Sequence, residues 1–196
     1  MAPEAALGRM LAAAVALCES RADEDGAAAG HFAGIAGQAL AAPINPDPPA
    51  PRRLPACRHL ASVEAAVLAE MAESLHWTQN PNYLGDPKMR AFVQDYAYAE
   101  LLGPGGIAVS EDAALGLLLI GPHRYYPPHH HPARETYLTV AGEADWWRHG
   151  EDWRTLPAAS FITHEPDMVH AMRTAEQPLL ALYAWSGEIG TPARLV

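Results

Sequence analysis

From residue 96 onward the chain is a succession of short apolar runs broken by turn sequences. The runs cover 96–102, 107–110, 114–120, 135–141, 143–148, 160–163, 170–174 and 179–185. Between them lie Gly103-Pro104-Gly105-Gly106, Ala141-Gly142-Glu143 and His149-Gly150-Glu151-Asp152, all rich in turn-forming residues. Many short strands at this spacing predict an antiparallel sandwich or barrel. Upstream the period changes. Residues 4–20 are dominated by Ala, Leu and Met with Gly8 as the one break, and predict a helix. A second helical piece over 31–40 is interrupted by Gly34 and Gly37. Leu60, Val63, Val67, Leu68, Met71 and Leu75 recur at spacings of three and four, which predicts a helix opened by Ser62 as N-cap and ending near Trp77. A shorter helix is expected over 88–93. Between the helical pieces, residues 42–55 are too dense in proline for a helix or a central strand, and predict an extended connector. The expected organisation is a helical region over 1–94, with its Pro-rich connector at about 42–56, and a β-barrel over 95–196.

Composition narrows the partners. A chain of 196 residues with 49% hydrophobic content can bury a substantial core. Its formal charge of -10 argues against nucleic acid or an anionic membrane surface as partner, but not against a small cationic or zwitterionic substrate. The two cysteines, Cys18 and Cys57, stand in unrelated contexts and suggest neither a disulfide framework nor a thiolate metal site. No run approaches the length of a membrane span. The apolar stretch 10–18 lacks the flanking charge and cleavage site of a secretory signal, so a cytoplasmic location is expected.

Chemistry concentrates in Tyr125-Tyr126-Pro127-Pro128-His129-His130-His131-Pro132-Ala133-Arg134-Glu135-Thr136-Tyr137, with an echo at His170. Side chains of an extended chain alternate between faces. His129, His131, Glu135 and Tyr137 therefore share one face, and His130 and Thr136 take the other. The same alternation turns one of Tyr125 and Tyr126 inward and the other outward. Two imidazoles, a carboxylate and a later imidazole form a nitrogen/oxygen donor set for one divalent metal, and suit Zn, Fe, Mn, Co or Ni alike. His164 competes with His170 as the later imidazole, although the Glu165-Pro166-Asp167 turn behind it suggests a loop.

The pattern His-x-His-x3-Glu-x6-Gly, running from His129 to Gly142 with a later His, resembles the cupin superfamily, whose fold is an antiparallel β-barrel, the double-stranded β-helix. The second half departs from the usual motif. Ser160 stands where glycine is common after Pro157, His170 lies farther along than usual, and the region after it carries Arg173 rather than Asn. His-x-His-Pro-Ala-x-Glu-x-Tyr-Leu, His170-Ala-Met-Arg-Thr174 and Pro178-Leu-Leu-Ala-Leu-Tyr-Ala-Trp185 are similar to the small bacterial cupin lyases that act on dimethylsulfoniopropionate (DMSP). The likeness is strong over 95–187 and looser over 60–94. It implies a metal site at His129, His131, Glu135 and His170, Tyr137 as catalytic base, and Tyr126 as a catalytic-site tyrosine. Tyr125 and Trp185 are aromatic candidates for a sulfonium group. Cupin-like barrels commonly pair, so a homodimer is among the expected assemblies. A cupin dioxygenase or isomerase acting on another small carboxylate is the alternative enzyme, and a metal-containing binding barrel without turnover is a third reading.

Overall fold

The computed structural model describes residues 8, 12, 22–63 and 74–196. The helix expected over 4–20 and most of the one expected over 62–77 lie outside the described residues. The first described element is helix α1 (Ala22–Ala41), longer than the piece expected over 31–40. It contains Gly26, Gly30, Gly34 and Gly37, each costing about 1 kcal/mol relative to alanine, so packing rather than propensity holds it. Ala28, Ala29, Phe32, Ile35, Ala36 and Ala39 recur at three and four and are buried. A Cβ at any of the four glycines would meet nothing within 4 Å, so no close packing requires glycine there.

After the proline connector, Pro55–Ser62 forms a 3-10 helix. Ser62 is the last residue of that segment, and the helix it is expected to cap runs into residues outside the described ones. Trp77, expected at a helix end, lies instead in strand β1 (Trp77–Thr78), paired with Tyr98 and Ala99. A 3-10 turn over Pro87–Met89 leads into α2 (Arg90–Val93), close to the short helix expected there. The remaining strands are β2 (Tyr96–Leu102), β3 (Ala113–Ile120), β4 (Tyr125–His130), β5 (Arg134–Ala141), β6 (Ala144–Arg148), β7 (Arg154–Leu156), β8 (Phe161–His164), β9 (His170–Thr174), β10 (Leu179–Ser186) and β11 (Arg194–Leu195). The run 107–110 is not a strand. Ala108 makes only isolated bridges to Ile44 and Leu102.

The strands form two antiparallel sheets, ordered β1-β2-β3-β10-β5-β8 and β11-β4-β9-β6-β7. They face each other as a cupin jelly roll and are not closed into a continuous barrel. Alternation on the first sheet builds two cores. Ala97, Ala99, Leu101, Leu115, Leu117 and Leu182 pack with α1, whereas Tyr96, Leu118, Tyr137 and Tyr183 point toward the second sheet, where Tyr126, Trp146 and Met172 meet them. No helix among the described residues is long and apolar enough to cross a membrane.

A buried carboxylate ties the helical segment to both sheets. Asp95 is 2% exposed and receives Arg58, His59 (3.0 Å) and Arg124 (Nε to Oδ2, 2.8 Å), while its backbone carbonyl accepts Gly121 N–H at 2.7 Å. Burial alone would raise its pKa. The hydrogen bonds from His59 and Arg124, with the guanidinium charges, outweigh burial and lower it. A depressed carboxyl stabilises the fold above its unfolded value of about 3.9, and that contribution is lost as pH falls through the folded value. Asp95→Asn is expected to cost about 2–3 kcal/mol at neutral pH, read from the urea midpoint. The gap between variant and wild type should shrink below about pH 4.

Candidate active site

Strand alternation and register assemble the site. On β5, Glu135 and Tyr137 point between the sheets, while Thr136 points back toward α1. There His31 bridges the hydroxyls of Thr136 and Ser186, 2.8 Å from each, so the helix clamps β5 and β10 from behind at positions next to Glu135 and Trp185. Glu135 is flanked across the sheet by Trp185 and His164. In the other sheet, His129 is paired with His170 across β4 and β9.

Glu135 is the hub. Its Oε2 lies 3.1 Å from His131 Nε2, 3.1 Å from His164 Nδ1 and 3.4 Å from His170 Nε2, and its Oε1 accepts the indole N–H of Trp185 at 2.6 Å. All four imidazoles and the carboxylate are buried. Burial by itself would raise the Glu135 pKa, but the positive charge of His131 and its hydrogen bond dominate, and the carboxyl lies well below its usual range. The same pairing overcomes burial at His131 and raises its pKa. His129 and His164 behave oppositely. Burial, reinforced by charge on His170, pushes His129 well below its ordinary value and His164 down to about 3.

The tautomers point the same way. Nδ1 of His129, His131 and His170 each lies against a backbone carbonyl two residues away: Pro127, Ala133 and Met168, at 2.8, 3.0 and 2.8 Å. With Nδ1–H donating there, Nε2 of each ring is left for the interior. His131, Glu135 and His170 each offer a ligand atom within 4.8 Å of the other two. His164 Nε2 and His170 Nε2 are buried without a hydrogen-bond partner. Converging nitrogen and carboxylate lone pairs with so few protons between them fit a divalent cation.

The expected ligands are thus brought together in part. His131, Glu135 and His170 form the group. His129 stays outside it, its ring stacked on Tyr126 at 3.7 Å and edge-on to His170 at 4.1 Å. His164, expected in a loop, ends β8 and stacks on His170 at 3.9 Å. Tyr126 and Tyr125 part as alternation requires. Tyr126 is buried, with its hydroxyl 2.7 Å from that of Tyr83, whereas Tyr125 is 51% exposed beside Trp153. The structure therefore does not bring Tyr125 to the site. Trp185, by contrast, stacks on His131 at 4.2 Å.

Tyr126, Glu135, Tyr137 and Trp185 open on one cavity of about 280 Å³, near the lower end of small-molecule pockets, together with Tyr96 and Tyr183. Burial pushes the Tyr137 phenol well above its usual range, and the charge of Glu135 adds to the effect. Tyr126 is raised likewise by burial and then by Tyr83. Tyr83 carries no signal in the sequence because it sits in a 3-10 turn, Pro81–Tyr83, where no alternation marks its direction.

Two facing sheets with a His/Glu/His group between them define a cupin-type protein with a candidate metal centre. Residues 37–181 match the family model for dimethylsulfoniopropionate lyase, and the chain belongs to that family. It is 34% identical over 109 residues to the dimethylsulfoniopropionate lyase DddQ of Ruegeria pomeroyi, covering 56% of this chain and 54% of that protein. It is also 34% identical over 122 residues to DddL of Cereibacter sphaeroides, covering 61% of this chain and 49% of the relative. The chain thus spans about half the length of the curated relatives it matches. The crystal structure of Ruegeria pomeroyi DddQ superimposes with a TM-score of 0.70 at 29% identity, over 79% of this chain and 82% of that one.

Proposed function

We propose that the protein is a metal-dependent lyase that splits DMSP by β-elimination into dimethyl sulfide and acrylate. The observation that carries this reading is the shared cavity of Glu135 and Tyr137, set against the His131/Glu135/His170 group in a chain of the DMSP lyase family. His131, Glu135 and His170 would hold a divalent cation, whose positive charge would favour the substrate carboxylate, the loss of a proton from the carbon beside it, and a phenolate nearby. Tyr137 takes the proton from that α-carbon. The electron pair left behind becomes the carbon–carbon double bond as the β-carbon–sulfur bond breaks, and sulfur departs with the bonding pair as neutral dimethyl sulfide. Tyr126, fixed by the Tyr83 hydroxyl, forms the wall beside His129 and acts as the second phenol of the site. Trp185 turns its indole N–H to Glu135 and offers ring surface to the sulfonium.

The test is purified protein with DMSP, assayed for headspace dimethyl sulfide before chelation, after it, and after add-back of Zn, Fe, Mn, Co or Ni. Release that stops on chelation and returns on add-back is expected. Release indifferent to chelation removes the metal from the mechanism. Dioxygen uptake with a thiol or diketone, and no dimethyl sulfide, assigns a dioxygenase instead.

A further inference from the structure

The catalytic cavity has a larger neighbour. A second cavity of about 580 Å³ lies under the proline connector, walled by Pro48, Pro51, His76 and Ile107. Tyr98 and Glu100 line both cavities, so they stand where the two meet. Strand β2 puts them there. Tyr96, Tyr98 and Glu100 share one face, while Ala97, Ala99 and Leu101 pack with α1 on the other. Register continues the line across the sheet, because Glu100 pairs with Gly116, Gly116 with Tyr183, and Tyr183 with Tyr137. A Cβ at Gly116 would collide with the Tyr183 phenol, so glycine opens that row for the ring.

The Glu100 carboxylate is part-buried and held from one side only. Gly105 N–H donates to Oε1 at 2.7 Å, and no other hydrogen bond or ion pair reaches it among the described residues. The loop is shaped around it. Gly103 holds φ +146, a conformation that favours glycine, and a Cβ there would meet the end of the Glu100 side chain. No lysine or arginine lines either cavity among the described residues. The aromatic residues lining the same cavity are in contact with one another: Tyr98 meets Tyr183 edge-on at 6.3 Å and lies 6.3 Å from Tyr96. A part-buried carboxylate without a cation partner, sharing a cavity wall with tyrosine rings, is a complement for a weakly hydrated organic cation.

We propose that Glu100, with Tyr98 and Tyr183, forms a recognition subsite for the onium group of a small sulfonium or quaternary ammonium compound where the two cavities meet. Its role in the reaction rests on the lyase reading given above. The subsite draws in the cationic end of a zwitterion, and the same negative charge repels acrylate, so one group favours substrate entry and product departure.

The experiment compares metal-loaded wild type with Glu100→Gln, which keeps an acceptor for Gly105 N–H, and with Glu111→Gln as an exposed charge control. Trimethylsulfonium, which carries the cation alone, is titrated calorimetrically. Its Kd is expected to rise about tenfold in Glu100→Gln and to stay unchanged in the control. With DMSP the loss should fall on KM rather than kcat, and inhibition by acrylate should become several-fold tighter, an inversion that general loosening of the loop would not produce. Should Glu100→Gln fold poorly, Tyr98→Leu gives an independent measurement, with weaker trimethylsulfonium binding and unaltered acrylate inhibition expected. Trimethylsulfonium affinity that matches wild type in a folded variant overturns the proposal. Glu100-dependent binding of trimethylsulfonium by a protein that releases no dimethyl sulfide would sustain the subsite and sink the lyase reading.

Discussion

Tyr137→Phe should abolish dimethyl sulfide release, by about 10³-fold or more, while leaving bound metal at the wild-type level. The substitution removes one oxygen from a ring packed against Trp146 at 5.0 Å and His164 at 5.9 Å, so the wall of the cavity keeps its shape. Without a cation the phenol is held protonated, because burial and the Glu135 charge both oppose its ionisation. A base so placed works only where positive charge offsets those two effects. Activity should therefore rise with pH toward the ionisation of Tyr137 in the loaded enzyme, and metal removal should lose the reaction by disabling the base as well as by releasing the substrate carboxylate. Tyr126→Phe is the comparison. Its hydroxyl is engaged with Tyr83 at 2.7 Å and its ring stacks on His129, so a smaller loss is expected. Elemental analysis beside headspace chromatography checks both variants. Full activity in Tyr137→Phe would move the base to another residue.

Much of this arrangement was legible because two-residue alternation is rigid where one face is buried. It placed His131, Glu135 and Tyr137 on the inner face and sent Thr136 outward to His31. Strand β9 (His170–Thr174) covers the run expected over 170–174. Other parts follow forces that a local pattern does not carry. Strand β4 was read as extended without being placed among the strands, since Pro127 and Pro128 cannot donate to a ladder and its pairing with β9 is irregular between Tyr126 and His129. Past that irregularity His129 shares parity with His131 and pairs directly with His170. The placement of His164 comes from the β5–β8 register, a contact between residues 29 positions apart, and the turn behind it pointed the wrong way. Helix α1 was underestimated because its buried face is built mostly from alanine, whose apolar signal is weak. Glu100 was within reach of the alternation that marks Tyr96 and Tyr98, but a single charge inside an apolar run reads as a solvent-facing position until the opposite wall is known.

Glu135→Gln tests the other half of the site, and its expected effect is loss of the metal rather than loss of the proton acceptor. The substitution keeps an oxygen for the Trp185 N–H at 2.6 Å and nearly the same volume, so packing against His131 and His164 is preserved. It removes the one negative charge among four buried imidazoles, and with it the force that holds His131 ready to exchange a proton for a cation. Loss of an outer hydrogen-bond partner costs metal affinity about 10–100-fold, and loss of a direct carboxylate ligand should cost at least the upper end of that range. Stability gives a readout that needs no turnover. A ligand bound only by the folded state at about 100 times its Kd adds roughly 2.7 kcal/mol, so wild-type Tm should rise by several degrees on metal addition and fall back on chelation. In Glu135→Gln the same additions should leave Tm nearly flat. Because Tyr137→Phe should retain the metal-dependent Tm rise while losing turnover, the pair separates holding the cation from using it. A metal-dependent rise that survives intact in Glu135→Gln would place the cation elsewhere and take the elimination mechanism with it.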